Sequence, residues 1–218
     1  MKEYHKIQTV FKRDPETKFK TLLEGNFALP EFEYLKNNEW IFTEKVDGTN
    51  IRIKCAPYQE DGKAYGITFG GKTDRAQIPG FLVENLIQLF HNDDTRCIIA
   101  EMFSEGACLY GEGYGAKIQK GGGNYRQDQS FVLFDVKIGD WWLQRKDIES
   151  ISIGLGLDIV PIVGTGTLFD MVEQTRGGFN STWGNFRAEG MVARPVVELK
   201  ARNGSRIITK IKYKDFRR

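Results

Sequence analysis

Residues 44–50 read EKVDGTN and place a lysine, Lys45, two residues before an Asp-Gly pair. Apolar runs flank this stretch, WIF at 40–42 and IRI at 51–53. Asp-Gly between two such runs is typical of a tight turn between paired strands. The pattern therefore predicts a hairpin with the ammonium group of Lys45 at its mouth, beside the carboxylate of Asp47. In isolation K-x-D-G is most often a solvated surface lysine, so the rest of the chain has to decide.

Composition and charge describe an ordinary globular protein with room for one sizeable core. The 218 residues are 40% hydrophobic and 28% charged, with a net charge of +2. That total excludes a strongly basic nucleic-acid-binding protein, but the charge is unevenly distributed. The segment 200–218 carries one acid, Asp215, and a set of basic residues suited to phosphates: Lys200, Arg202, Arg206, Lys210, Lys212, Lys214, Arg217 and Arg218.

Cysteine and histidine usage excludes several kinds of site. The three cysteines are widely spaced with no C-x-x-C, which argues against a disulfide framework and against structural zinc. Two histidines leave little room for a histidine-based metal site or triad. The N-terminal residues are polar and no apolar run approaches membrane-spanning length, so we expect a cytoplasmic protein without a membrane partner.

Hydrophobic periodicity and turn residues predict an α+β fold of mainly antiparallel sheets with a few helices. We expect helices near 31–36, 81–91, 145–154 and 168–176. Strands are expected at 97–103, 131–136, 141–144 and 158–163, with a glycine-rich loop at 111–125. The last residues predict an antiparallel pair around Asn203-Gly204.

One alternative starts from Gly66–Thr73, which reads GITFGGKT and satisfies G-x-x-x-x-G-K-[ST]. This is the phosphate-binding loop of P-loop NTPases, and Asp135 at the end of FVLFD would then bind Mg²⁺. The context is unfavourable. The preceding DGKAY at 61–65 is polar, Pro79 would stop a helix that starts at Lys72, and the alternation of strands and helices of a parallel sheet is missing.

The other alternative is nucleophilic attack by Lys45 on the α-phosphorus of a nucleoside triphosphate. This chemistry needs an amine whose pKa lies well below about 10.4, lowered by nearby cations or by desolvation. It also needs further lysines and Mg²⁺ for phosphate charge, carboxylates for the ribose and the metal, and an apolar slot for the base.

Five short motifs supply these groups in order: KVDG at 45–48, AEMF at 100–103, FVLFDV at 131–136, EGMV at 189–192 and KIK at 210–212. With them the chain resembles the covalent nucleotidyltransferase superfamily of ATP-dependent ligases and capping enzymes. Within it the chain looks most like the RNA ligase 2 family of phages and trypanosome RNA-editing ligases. The resemblance covers about residues 40–213.

The resemblance implies a role for each matching residue. Lys45 would be the adenylylated nucleophile, while Glu189 and Asp135 would serve the metal. The residues implied to bind the nucleotide are Glu44, Asn50, Lys72, Glu101 (ribose), Phe134 (adenine), Val192, Lys210 and Lys212. Those implied to bind nucleic acid are Asn50, Arg75, Lys117 and Lys120.

The resemblance also implies the activity and its partners. Lys45 would form lysyl-AMP from ATP with Mg²⁺ or Mn²⁺, pass AMP to a 5′-phosphate end, and a 3′-hydroxyl would then seal the strand. The substrate would be RNA, with DNA as the alternative, and the protein a monomer. The fold would be an ATP-grasp-like ligase core with its nucleotide pocket between the sheets. We expect one such domain over 1–218, without an OB-fold or helical C-terminal domain. A P-loop NTPase and a non-catalytic nucleic-acid end-binding protein remain alternatives.

Overall fold

The computed structural model describes residues 3–56 and 66–217. They form two compact units, one comprising the residues up to His5 together with Asp47–Val160, the other comprising Lys6–Val46 and the chain from Pro161 onward. We call these the first and the second unit. Two features used in the sequence analysis, the polar stretch 61–65 and Arg218, lie outside the described residues.

Strands predominate over helices in both units. The strands are β1 (Gln8–Thr9), β2 (Phe11–Arg13), β3 (Leu22–Phe27), β4 (Trp40–Glu44), β5 (Thr49–Ala56), β6 (Gly66–Gly70), β7 (Ala107–Gly115), β8 (Gln129–Ile138), β9 (Trp141–Trp142), β10 (Asp158–Ile159), β11 (Ile162–Gly166), β12 (Gly190–Pro195) and β13 (Thr209–Lys212). The helices are α1 (Pro30–Tyr34), α2 (Gly80–Phe90), α3 (Asp93–Met102), α4 (Arg145–Leu155) and α5 (Leu168–Gly177), with 3-10 turns at Gly122–Asn124 and Tyr213–Phe216. Among the described helices, none is long and apolar enough to cross a membrane.

The second unit is built on a five-stranded sheet of order β1-β13-β12-β4-β11, in which β12 pairs antiparallel with both β4 and β13. Because side chains alternate along a strand, Phe42, Met191 and Ile211 face a buried apolar cluster to which α5 contributes Met171. The opposite face of the same three strands is half-buried and polar. The start of α5 is fixed by a capping box between Thr167 and Asp170.

The first unit is built on a sheet of order β10-β8-β7-β5-β6, with β9 paired to β8. Ile51, Leu109 and Leu133 line its core face and pack in one cluster with Leu86 of α2 and Ile148 of α4. As in the second unit, one face of the sheet is covered by helices and the other carries polar and aromatic side chains.

A β-bulge interrupts the pairing of β7 with β8. Tyr110 pairs with Asp135 but Gly111 pairs with Leu133, so Phe134 is the extra residue. Before the bulge the odd-numbered Leu133 faces the core, and after it the even-numbered Val136 does. Phe134 and Asp135, although adjacent in sequence, therefore lie on the same non-core face.

Most of the predicted elements are confirmed, including the α+β class, the antiparallel sheets, and the helices close to 31–36, 81–91, 145–154 and 168–176. The strand predicted at 97–103 is wrong. These residues belong mostly to α3. Asn92 caps the first turn of this helix, because its side chain accepts a hydrogen bond from the Thr95 amide. The glycine-rich loop begins later than predicted, because residues 107–115 form β7. The strand predicted at 158–163 is divided at Pro161 between two sheets.

The predicted hairpin around Lys45 is also wrong. β4 pairs with β11 and β12, whereas β5 pairs with β6 and β7, so KVDG joins two different sheets. The chain passes from the second unit to the first between Val46 and Asp47. Pairing with distant strands outweighs the local Asp-Gly turn signal.

The P-loop interpretation fails on local structure. Gly66–Gly70 is the antiparallel strand β6, paired with β5, and not a loop. Residues 71–79 contain no helix, so no helix N-terminus is present at Lys72 to bind phosphate. The next helix, α2, begins only at Gly80.

Gly190 brings β12 against β13 at the point where EGMV begins. A Cβ atom at Gly190 would lie 2.1 Å from the carbonyl oxygen of Ile211. We expect Gly190→Ala to lower the free energy of unfolding by about 1–3 kcal/mol, since the clash is with backbone. Gly177→Ala is the matched control in the same unit, because a Cβ there meets nothing within 4 Å. Urea unfolding of both variants measures the difference, and equal stability of the two would contradict the packing argument.

Candidate active site

Lys45 lies at the end of β4 and is engaged by a carboxylate of a distant segment. Its Nζ is 2.5 Å from Oε2 of Glu189, and Nζ of Lys212 is 2.6 Å from Oε1 of the same side chain. Strand pairing fixes this arrangement, because the Lys45 amide donates to the Gly190 carbonyl at 2.9 Å and Gly190 is paired with Lys212. Three segments far apart in sequence thus meet at one carboxylate.

The charge balance at Glu189 follows from its burial and its two partners. Burial would raise the pKa of the Glu189 carboxyl, but the ammonium groups of Lys45 and Lys212 outweigh it and hold that pKa below its usual range. The group therefore stays ionised near neutral pH. From the sequence, we predict cations directly around the Lys45 amine. In the structure its ion-pair partner is the carboxylate of Glu189, and the second cation, Lys212, is paired with the other oxygen of that carboxylate.

The non-core face of the second sheet continues from this ion pair. Val192 of β12 pairs with Thr43 on one side and with Lys210 on the other, and all three are half-buried. Lys210 and Lys212 lie on the same face of β13, as the two-residue period predicts. The face thus presents the apolar side chain of Val192 between Lys210 on one side and Thr43 on the other.

Glu44 points the other way. It is 1% exposed and accepts hydrogen bonds from the amide and the hydroxyl of Thr182, both at 2.9 Å, through Oε2. Within the described residues its Oε1 is buried without a hydrogen-bond partner. The visible role of Glu44 is to hold the loop at 181–186 beside β4; its predicted contact with the nucleotide stays a prediction.

In the first unit, the residues after KVDG bring Asn50 opposite a carboxylate that sequence reasoning missed. Asn50 of β5 pairs with Glu112 of β7, and both are half-buried on the non-core face. A Cβ atom at Gly48 would lie 2.6 Å from Cγ of Glu112 and 2.3 Å from the carbonyl oxygen of Gly113. The glycine of KVDG is therefore required for β7 to approach this closely.

Two further observations concern these residues. Oδ1 of Asn50 is buried and has no hydrogen-bond partner among the described residues. A buried acceptor of this kind is a candidate for a ligand's hydroxyl group. Glu112 was missed because GEGYG at 111–115 was interpreted as a loop; the alternation of large side chains at 110, 112 and 114 is the signal that would have revealed a strand.

Phe134 and Asp135 occupy the non-core face of the first unit beside the N-terminal segment. The hydroxyl of Tyr4 donates to Oδ2 of Asp135 at 2.5 Å, and the ring of Tyr4 packs edge-on against Phe134 with centroids 5.1 Å apart. Asp135 is fully buried. No sequence pattern indicated that Tyr4 lies beside these two residues.

The remaining predicted site residues lie on the surface of the first unit. Lys72, Arg75, Lys117 and Lys120 are exposed. The predicted contact of Lys72 with the nucleotide, and those of the other three with nucleic acid, stay predictions. Glu101 is also exposed, but it lies on the helix α3 and not at the end of a buried strand. The strand expected to present Glu101 is therefore wrong, while its predicted ribose contact stays a prediction.

The donor chemistry fits a hard cation only in part. Carboxylate oxygens such as those of Glu189 suit Mg²⁺ or Mn²⁺. Within residues 3–56 and 66–217, however, no group of three or more acidic, histidine or cysteine side chains is arranged to hold a metal ion. Mg²⁺ is commonly bound by one or two carboxylates together with the phosphates of a substrate.

Comparison with solved structures shows that this fold is known. A variant of the Naegleria gruberi RNA ligase with ATP and Mn matches with a TM-score of 0.65 at 16% identity, over 97% of this chain and 56% of that one. The same ligase with PPi matches with a TM-score of 0.61 at 17% identity, over 96% and 57%. The chain thus spans less than three-fifths of the length of these proteins. A comparison with curated sequences finds no significant match.

The family assignment rests on sequence. Residues 38–213, most of the chain, match the RNA ligase family, and the matched region contains Lys45, Glu189 and Lys212. The chain therefore belongs to the RNA ligase family.

Proposed function

We propose that the protein is an ATP-dependent RNA ligase that works through a covalent lysyl-AMP on Lys45. The observation that carries this proposal is the ion-pair group in which Glu189 holds both Lys45 and Lys212. A lysine held by its partner at a strand end, with a second lysine on the same carboxylate, suits attack on a phosphate. The family and the likeness to the Naegleria gruberi ligase with ATP and Mn support the choice of reaction.

The first step requires Lys45 to become a neutral amine. Its proton leaves Nζ for Oε2 of Glu189, which lies 2.5 Å away. The nitrogen then attacks the α-phosphorus of ATP, an N–P bond forms, and the bond from that phosphorus to the bridging oxygen breaks to release pyrophosphate. In the second step an oxygen of a polynucleotide 5′-phosphate attacks the same phosphorus, the N–P bond breaks, and Nζ of Lys45 takes back a proton. In the third, a 3′-hydroxyl loses its proton and attacks the activated 5′-phosphate. A new phosphodiester bond forms, and the P–O bond to AMP breaks so that AMP leaves.

Lys212 couples phosphate binding to this proton transfer. While Lys45 and Lys212 are both paired with Glu189, they keep the pKa of the Glu189 carboxyl low. The carboxylate is then a weak proton acceptor. Phosphate oxygens arriving at Lys212 compete for its ammonium group. As Lys212 turns to the phosphate, Glu189 loses one of its two cations and becomes a better base for Lys45.

Each unit contributes its own candidate residues for nucleotide binding. Asn50 and Glu112 contact the ribose hydroxyls, with Glu112 replacing Glu101 in the role that the sequence suggested. The orphaned Oδ1 of Asn50 and the half-buried position of Glu112 support this. In the first unit, Phe134 is the proposed stacking residue for adenine. In the second unit, Val192, Lys210 and Lys212 are proposed to bind the base and the phosphates.

While Glu189 takes the proton of Lys45, a divalent cation would be held by phosphate oxygens of ATP and would supply charge neutralisation at the phosphates. Glu189 would contribute to holding the cation once that proton has left. In the first unit, Asp135 is proposed as a further metal carboxylate, and its hydrogen bond from Tyr4 fixes the orientation of the carboxylate. We further propose RNA with 5′-phosphate and 3′-hydroxyl ends as substrate, with DNA as the alternative, and a monomer working in the cytoplasm on strand repair.

The proposal predicts a covalent adduct that depends on Lys45. Incubation with α-labelled ATP and Mg²⁺ is expected to give label that survives a denaturing gel. Lys45→Arg and Lys45→Ala are expected to abolish it, because neither can form the phosphoramidate, while Lys72→Ala keeps it. Absence of label in the unmodified protein, with tight polynucleotide binding, would instead favour the non-catalytic end-binding alternative.

The two candidate carboxylates can be separated by a matched pair of variants. We expect Glu112→Ala to reduce the rate of adduct formation at limiting ATP by about 10- to 100-fold, the cost of losing a hydrogen bond that a charged carboxylate accepts. Glu101→Ala, which removes the same group from an exposed helix, is expected to change that rate by less than about twofold. The reverse ranking would restore Glu101 as the ribose ligand.

A further inference from the structure

Two arginines of the second unit lie over one aromatic ring. The guanidinium of Arg217 is 4.5 Å from the centroid of the Tyr213 ring, and that of Arg187 is 5.2 Å from it. Both arginines are exposed, and Tyr213 is half-buried. We call these three residues the arginine–tyrosine cluster.

The cluster is held in place by backbone. Nη2 of Arg217 donates to the carbonyl of Arg176 at the end of α5, at 2.9 Å. A Cβ atom at Gly178 would lie 2.7 Å from Nη1 of Arg187 and 2.7 Å from Cε2 of Tyr213. Gly178 has a φ of +76°, which glycine adopts readily. The missing Cβ also leaves the space that Arg187 and Tyr213 fill. Two guanidinium groups are thus positioned before any ligand arrives.

The positive charge of the cluster is not cancelled locally. Among the described residues, no carboxylate lies within ion-pair distance of Arg187 or Arg217. The nearby acid Asp215 is already paired with Arg13 at 2.7 Å. In contrast, Arg176 is neutralised by Glu24 and Glu173, so it is not counted in the cluster.

The cluster adjoins the nucleophile site through strand pairing. Tyr213 directly follows Lys212, and its amide donates to the carbonyl of Glu189 at 2.9 Å. Arg187 precedes Glu189 by two residues. The cluster therefore lies at the end of the β12–β13 pair from which Glu189 and Lys212 reach Lys45.

We propose that the arginine–tyrosine cluster binds the phosphodiester backbone of the polynucleotide whose end is brought to Lys45. This inference rests on the proposed function. A guanidinium stacked on a ring keeps its in-plane N–H groups available, and these match two phosphate oxygens. Contacts of this kind position the strand and do not read its sequence.

The test is the salt dependence of polynucleotide binding. Fluorescence anisotropy is measured with a labelled nicked RNA duplex that carries a 5′-phosphate, without ATP, over a range of NaCl concentrations. Each lost phosphate contact lowers the slope of log affinity against log salt by about 1. We expect Arg187→Ala and Arg217→Ala each to lower the slope by about 1 and to weaken binding by about 5- to 50-fold at low salt.

Two further variants sharpen the comparison. Arg202→Ala is the matched control, since Arg202 is an exposed arginine of the same unit on the turn at 201–204. It should leave the slope within about 0.3 of the unmodified protein. Arg187→Lys should keep the slope and lose part of the affinity, because lysine retains the charge without the planar fork. If Arg187→Ala does not fold, Arg217→Ala and Arg187→Lys carry the test.

Each outcome decides the inference. Slopes of Arg187→Ala and Arg217→Ala equal to that of Arg202→Ala would overturn it. So would slower formation of the ATP adduct combined with an unchanged polynucleotide slope, since the cluster would then serve the phosphates of ATP. If the unmodified protein forms no adduct at all, the proposed function fails, while the slopes still report whether the cluster binds polynucleotide.

Discussion

A single carboxylate that bridges two ammonium groups is the interaction on which the rest of this site depends. Glu189 is mostly buried, and an uncompensated charge there would be strongly unfavourable. Lys45 and Lys212 provide the compensation only because β4, β12 and β13 are paired in one register. The ion pairs of the site therefore depend on the strand register as well as on the three side chains.

In both sheets one face is apolar and the other face is polar. Apolar side chains on one face pack against helices, and the other face carries polar groups that the sequence motifs associate with nucleotide chemistry. Glycines make this division compatible with close packing. Gly48 admits β7 beside KVDG, and Gly190 admits β13 beside Glu189. Polar side chains can then converge without the bulk of neighbouring Cβ atoms.

Local patterns predicted the elements well and their connections less well. Helical spacing located α2, α4 and α5, and the two-residue period placed Lys210 and Lys212 on one face. The turn signal at Asp47-Gly48 failed, because which strands pair is decided by packing at long range. Glu112 was missed because it lies between glycines that are typical of a loop. Those glycines are required by packing that the sequence does not reveal: a Cβ at Gly111 would lie 2.3 Å from the ring of Phe131. Tyr4 has no sequence signal that could have associated it with Asp135.

The bulge at Phe134 makes the length of β8 as important as its composition. Because the extra residue reverses which side chains face the core, deleting one residue at this point would restore simple alternation and leave either Leu133 or Val136 on the wrong face. Substitution along this strand can be absorbed by repacking, whereas a one-residue change in length cannot. Over evolutionary time, the spacing between FVL and DV is thus expected to vary less than the residues themselves.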